Sequence, residues 1–473
     1  MRLSGFALLA ALGGLIFCAG CNTAIGISSQ PSPPPTSTAP LSLTLRDTPP
    51  AGVTVLRFAI QVTGASLLPQ TGATPTSLIA TPIDAELTRL QASSALLASL
   101  SIPAVSFSGL QVTFANPELT IWNGTGTTLT AGGVSCASGD VCQLTPTLNQ
   151  ASATIASPLA PFPLTVSTNV AVTLQLDFDV EASLGNDLSV TPTVSLTERA
   201  AAAGAAPLSG IVGTVTAVNS SGASFTLQPG LAAGAAELTI ETGTTTLYAF
   251  PACAKGDFSC LVVGEIVRVD ASLGNDGSIG AAAIVELAPA GSVAAGTVVS
   301  VNDAANQFEM AVTDLAGAAN GVEAGVPATV SVAPQATFEV DAGGLTVPGG
   351  LSFTSLGEMT PGQRVAVAVT GTSTTSGVVT LNASDVRLEP SQVTGTLQTL
   401  NAGGNNFVLE NSPALFATGG AATILVQAST TTVYEGVSGL GGLATGDTVS
   451  AGGLVFRTVT GPQLVAAVVR LRN

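Results

Sequence analysis

The chain has 473 residues, no histidine, and a single lysine, Lys255. Without histidine a Ser-His-Asp or Cys-His site is excluded, and a zinc-type metal centre loses its commonest neutral ligand. Lys255 cannot serve a Ser-Lys hydrolase either, because Ala252 stands where the serine of an S-x-x-K pattern belongs. Charge is scarce, at 9% of residues, and one-sided: Lys+Arg 12 against Asp+Glu 29 leaves −17. No basic run exists, so a nucleic-acid partner is not expected. Aromatics make up only 4%, with Trp122, Tyr248 and Tyr434 the ones with polar tips. No glycine-rich nucleotide loop follows a strand and opens a helix. These absences leave no cofactor to expect and no catalytic residue to name. A pair of carboxylates leaves no sequence fingerprint, so a carboxylate-dependent envelope hydrolase is kept as the weaker alternative.

What is abundant is Gly, Thr, Ser, Val and Ala, the usage of short strands and tight turns. With 46% hydrophobic residues each domain can build a core. The expected class is all-β. An arrangement recurs in the second half: Gly213-Thr214-Val215 lies twelve residues before Phe225, Gly296-Thr297-Val298 before Phe308 by that interval, and Gly395-Thr396-Leu397 before Phe407 likewise. A shared offset marks tandem copies of one structural unit. Repeats are placed at 208–289, 292–390 and 392–473. Each adds β-rich residues (Thr244 to Tyr248, Ala336 to Phe338, Thr430 to Tyr434) and a glycine just before a strand, Gly264, Gly362 or Gly446. A last strand follows around Val285, Val386 or Val469. Five strands, a bending glycine in the first and a turn before the fourth predict a small closed barrel of OB-like type that folds by itself.

Residues 1–20 read as a secretion signal, with Arg2 followed by an apolar core from Phe6 to Phe17 that is too short to span a bilayer. The run Cys18-Ala19-Gly20-Cys21 resembles the bacterial lipobox, which implies that Cys21 becomes the lipidated N-terminus. The resemblance to lipoproteins extends to Asn22, which implies the outer membrane where an aspartate would imply retention at the inner one. Residues 21–40, rich in Ser, Thr and Pro, form a tether. The other cysteines fall into two local pairs, Cys136 with Cys142 and Cys253 with Cys260, each around a Gly-Asp turn, and are expected to form disulfides in an exported chain.

The first domain, 41–198, opens with alternating Leu41, Leu43 and Leu45 and the turn Asp47-Thr48-Pro49-Pro50, then a strand through Val55 and Ile60. Leu87, Leu90, Leu97 and Leu100 have helix-compatible spacing, which predicts a short helix over 92–99 before a strand from Phe107 to Phe114. The stretches Leu45 to Pro49, Leu96 to Pro103 and Ser108 to Phe114 resemble an uncharacterised N-terminal domain family of bacterial lipoproteins, which implies a β-sandwich. The pattern departs from that family at Ala104-Val105-Ser106-Phe107. Ala200 to Ala206 reads as a linker, and the repeats resemble a second uncharacterised bacterial family. Neither resemblance carries a catalytic residue.

Two near-duplicate stretches, Glu181 to Asp187 and Asp270 to Asp276, cluster oxygen ligands that could hold Ca²⁺ or simply turn a hairpin. Alternating Asp177, Asp179 and Glu181 read as a solvated face guarding a sheet edge. Trp122 is read as core, with a sugar platform as the other use. Together these readings predict an exported, lipid-anchored, non-catalytic envelope protein that binds or scaffolds, with membrane contact through the lipid and an envelope glycan or protein as ligand. A carbohydrate-binding surface lipoprotein using the sandwich is the alternative. Sequence leaves the ligand, the oligomeric state and the membrane leaflet open.

Overall fold

The computed structural model describes residues 38–472 apart from 49–53, 80, 93, 132, 200–205, 230–236, 251–252, 254, 275–276, 289–291, 317–321, 376 and 418–422. The signal segment, Cys21, most of the tether and the Ala200 to Ala206 linker up to residue 205 lie outside the described residues. From Ser37 to Asn473 the chain is one compact unit.

The first module is a β-sandwich, whose opening strand the alternating leucines predict. One sheet orders the strands Val194–Arg199, Val172–Asp179, Thr38–Thr48 and Ala95–Pro103. The other is built on the long pair Thr54–Pro69 and Ser106–Trp122. Leu43, Leu45, Phe58, Leu110, Leu174 and Phe178 are fully buried between the sheets. The Phe178 ring meets those of Phe58 and Phe114 edge-on at 5.9 and 5.6 Å, an arrangement that suits aromatic quadrupoles.

Two expectations fail here. The described residues of 92–99 are not helical: the turn of helix nearby is a 3-10 segment at Leu87–Leu90, and Ala95–Pro103 is a strand paired to Thr38–Leu45. A bulge between Leu43 and Thr44 shifts that pairing and lets both Leu97 and Ala98 bury, so a broken strand period imitates a helical one. The carboxylates Asp177 and Asp179 do not guard an edge, because their strand is interior to its sheet. Asp179 ends that strand and caps the helical turn Val180–Ser183 through Ala182 N, which removes Glu181 from the alternation.

Three five-stranded barrels follow. In the second, the strands Val293–Asn302, Gln307–Ala316, Pro327–Val340, Val378–Glu389 and Arg364–Thr375 close in that spatial order, so the third strand lies parallel to the fifth. The first and third barrels follow the same order with the third strand broken in two, Leu238–Glu241 with Leu247–Ala249 and Ile424–Gln427 with Val433–Glu435.

The recurrent glycine and phenylalanine have a steric cause. A Cβ on Gly213, Gly296 or Gly395 would meet a backbone oxygen of strand two at 2.4, 2.1 or 2.6 Å, and each first strand carries a register shift just after its glycine. The bare backbone lets strand one coil tightly enough to close the barrel. Phe225, Phe308 and Phe407, each 1% exposed, fill the interior that this coiling creates. Gly264, Gly362 and Gly446, at φ of 97°, 89° and 94°, turn the chain into strand four, and each donates its N–H at 2.8 Å to the residue two beyond the first glycine.

Candidate functional site

One element that collects partners from every barrel is the 3-10 turn of the sandwich and the residues just after it, Arg89 to Ala92. Burial of Leu87 and Leu90 roots the turn in the sandwich core and aims the following polar atoms outward. Arg89 donates to Asp314 of the second barrel at 2.6 Å and to the carbonyl of Gly210 in the first. From the third barrel, Gln392 donates to the Arg89 carbonyl and accepts from Ala92 N at 2.7 Å. Thr394 donates to the Gln91 side chain at 2.9 Å, and Arg472 to the Gln91 carbonyl at 2.8 Å. One short turn is thus held by all three barrels. A cavity of about 100 Å³ lies beside it, lined by residues of all four modules.

Around the turn lies a chain of buried charge. Arg364, 8% exposed, donates to Thr313 at 2.6 Å and to Glu389 at 2.9 Å, and also pairs with Asp314. Burial pushes the Asp314 carboxyl up, but Arg89 and Arg364 outweigh it and hold the group below the usual carboxylate range. Glu86 shows the opposite balance: burial raises it, Thr88 opposes by donating, and neighbouring Asp314 raises it further. In the first barrel Arg268, 2% exposed, pairs with Asp270 at 2.8 Å and with Asp341 of the second barrel. Its charge is held more firmly than usual, since those carboxylates outweigh burial. Chemically this arrangement ties modules together: its arginines are engaged by carboxylates rather than turned towards an open cleft.

The sequence-predicted residues fall elsewhere. Cys136–Cys142 and Cys253–Cys260 form disulfides, each with a Cα separation of 5.8 Å. Trp122 packs half-buried against the cluster of Leu56, Val299, Ala311 and Leu415, which is the seam between the sandwich and the later barrels. That seam also carries Thr120 donating to the Gly325 carbonyl at 2.7 Å. No protein-family model matches the chain, and no curated protein matches it. In the loop Glu181 to Asp187, Asp187 accepts from Ser189 N and Oγ at 3.0 and 2.7 Å, which satisfies a turn. In its counterpart Asp270 is engaged by Arg268 and by Gly210 N, while residues 275 and 276 lie outside the described set. Among the described residues no three His, Cys, Asp or Glu side chains form a metal-binding group. Tyr248 and Tyr434 pack against the cores of their barrels, and Lys255 is exposed.

The turn itself was missed by sequence reasoning. Arg89 and Asp314 are 225 residues apart, and nothing in the pattern around either marks the other.

Proposed function

We propose that the protein is an exported, lipid-anchored, non-catalytic component of the bacterial envelope that works as a rigid binding or spacing body. The observation that carries this reading is the turn Arg89 to Ala92, whose bonds to three barrels make a compact block of what could have been beads on a string. A rigid block behind a Ser/Thr/Pro-rich tether sets a fixed surface at a chosen distance from a membrane. The charged groups buried deepest are spent on that rigidity, which fits spacing better than proton transfer. Membrane contact is assigned to lipid on Cys21, and the resemblance of the N-terminal run favours the outer membrane. The carbohydrate-binding alternative is less favoured, because part of the Trp122 ring is taken up by a seam.

The test has two arms. Labelled fatty acid should enter the wild-type protein and not the Cys21→Ser variant; label in the variant would remove the anchor. The unlipidated protein should retain an envelope component on pull-down and turn over none of peptidoglycan, envelope polysaccharide or peptide pools. Turnover abolished by one acidic substitution that leaves the fold intact would replace this reading with a carboxylate hydrolase.

A further inference from the structure

The sandwich has two unlike ends. At one, the Ser106–Trp122 strand finishes beside Thr54 and Val141, and Thr120 there donates to Gly325 of the second barrel. The other is where the described chain begins. Thr38 pairs with Pro103, and its carbonyl accepts from Asn169 N at 3.0 Å. The Val105 carbonyl accepts from Val166 N at 3.1 Å, that of Ser106 from Gln70 N at 2.9 Å and that of Ser108 from Ser157 N at 2.9 Å. The loops 69–75, 103–106, 157–163 and 166–171 therefore share the end at which the tether enters.

Two features set this end apart. The segments that build it lie in stretches without a single Asp, Glu, Lys or Arg, over 3–45, 58–83, 90–117 and 141–176, although the chain carries a net −17. At its margin Arg199, opposite Thr173, is paired with Glu435 at 3.8 Å. The second feature is apolar exposure. Among the described residues the sandwich exposes four large apolar side chains, and three are here: Val105 at 45%, Leu159 at 60% and Val170 at 53%. Pro158, Ala160 and Pro163, beside Leu159, are exposed as well. The fourth, Val134, belongs to the far end, since neighbouring Cys136 is bonded to Cys142, opposite Ile121. Exposed apolar groups scattered singly need no explanation, but three on one charge-free end do.

We propose that this end of the sandwich lies on a lipid bilayer, with Val105, Leu159 and Val170 entering its interfacial layer. The inference rests on the reading that Cys21 is held at a membrane. Sixteen residues separate Cys21 from Thr38, and at ~3.5 Å per residue fully extended they keep this end within reach of the bilayer. Anionic lipid repels carboxylates, so an acidic protein approaches such a surface at least cost where it carries none. Shallow insertion of apolar side chains then adds attraction in proportion to the area they bury. The height of the block above the membrane is set by its own length, with the second barrel docked at the opposite end of the sandwich.

The experiment uses the chain from residue 21 carrying Cys21→Ser and a histidine tag ahead of it, held on vesicles of phosphatidylethanolamine and phosphatidylglycerol by a nickel-chelating lipid. The tag replaces the acyl anchor, so the result does not depend on lipidation, which fatty-acid labelling decides separately. Trp122, the one native tryptophan, lies at the far end and supplies the baseline. Leu159→Trp should emit at shorter wavelength on the vesicles and lose that added emission when the acyl chains are brominated, whereas Val134→Trp and the parent chain should be unaffected. Adding Val105→Asp and Val170→Asp to Leu159→Trp should abolish the quenching while the melting temperature holds, since both positions are exposed. No quenching of Leu159→Trp, equal quenching of Val134→Trp, or quenching that survives the two aspartates would each overturn the proposal.

Discussion

Asp314 is where single side chains matter most. It is 3% exposed and serves two arginines from different modules. Asp314→Asn would leave Arg89 and Arg364 short of a counter-charge, and a loss of about 3–5 kcal/mol is expected in denaturant unfolding. The sign with pH follows from its lowered pKa. Its contribution is complete above the unfolded value of 3.8 and is lost as pH falls through the lower folded value, so the protein should weaken steeply in acid. Glu86 runs the other way: raised above 4.5 in the fold, it stabilises fully below that value and loses its contribution as pH rises through the folded pKa. Glu86→Gln keeps an oxygen for Phe58 N and Thr88 N, so it should raise the melting temperature at pH 7 and flatten the profile above pH 4.5. A melt at pH 7 no higher than wild type would contradict this. None of these residues announced itself in the sequence, because a buried carboxylate and a solvated one look alike until the fold supplies the neighbours. The disulfide cysteines were legible for the opposite reason, since both partners sit within one turn.

The barrel strands were readable wherever their cause is local. A glycine that must lie against a neighbouring backbone leaves a mark at a fixed offset from the phenylalanine it makes room for. Gly296→Ala should accordingly cost about 1–3 kcal/mol, because its Cβ would sit 2.1 Å from the Ala311 carbonyl oxygen, and an unchanged melt would refute the steric account. The connection between strands three and four illustrates what was not readable. In the first barrel Cys253–Cys260 staples it. In the second, Phe353, Leu356 and Met359 bury in a core that also takes Leu454, Phe456 and Val465 from the third barrel's last hairpin. Gln363, fully buried, donates to the Val455 carbonyl there at 2.9 Å. The same junction is closed by a crosslink in one copy and by a neighbour in the next. Reducing the first should lower its melt by the equivalent of about 2 kcal/mol, whereas Phe456→Ala should cost about 3–5 kcal/mol and destabilise both later barrels together. The helix misread over 92–99 belongs at this scale too: a bulge at Leu97, set by pairing with a strand that lies outside any sequence window, decided the outcome.

Across the whole molecule, the shared core between the last two barrels qualifies the expectation that each repeat folds by itself. A fragment of residues 292–473 should melt well above one of residues 392–473, which exposes Leu454 and Phe456 when alone. Equal melts would show that the shared core contributes little. Fold class and repeat number were legible because periodicity and punctuation belong to each module; the arrangement of modules was not, because it rests on contacts such as Gln91 with Arg472, 381 residues apart. That separation has a consequence in time. A chain made from its N-terminus completes the sandwich while the strand carrying Arg470 and Arg472 is still unmade, so Arg89 to Ala92 waits in water until the barrels are made. The strand Gly461–Arg472, made after all three barrels have begun, is the one that closes the block. Closure of the block therefore waits for one late strand, and a chain stalled before it carries a finished first domain with an unclaimed docking turn.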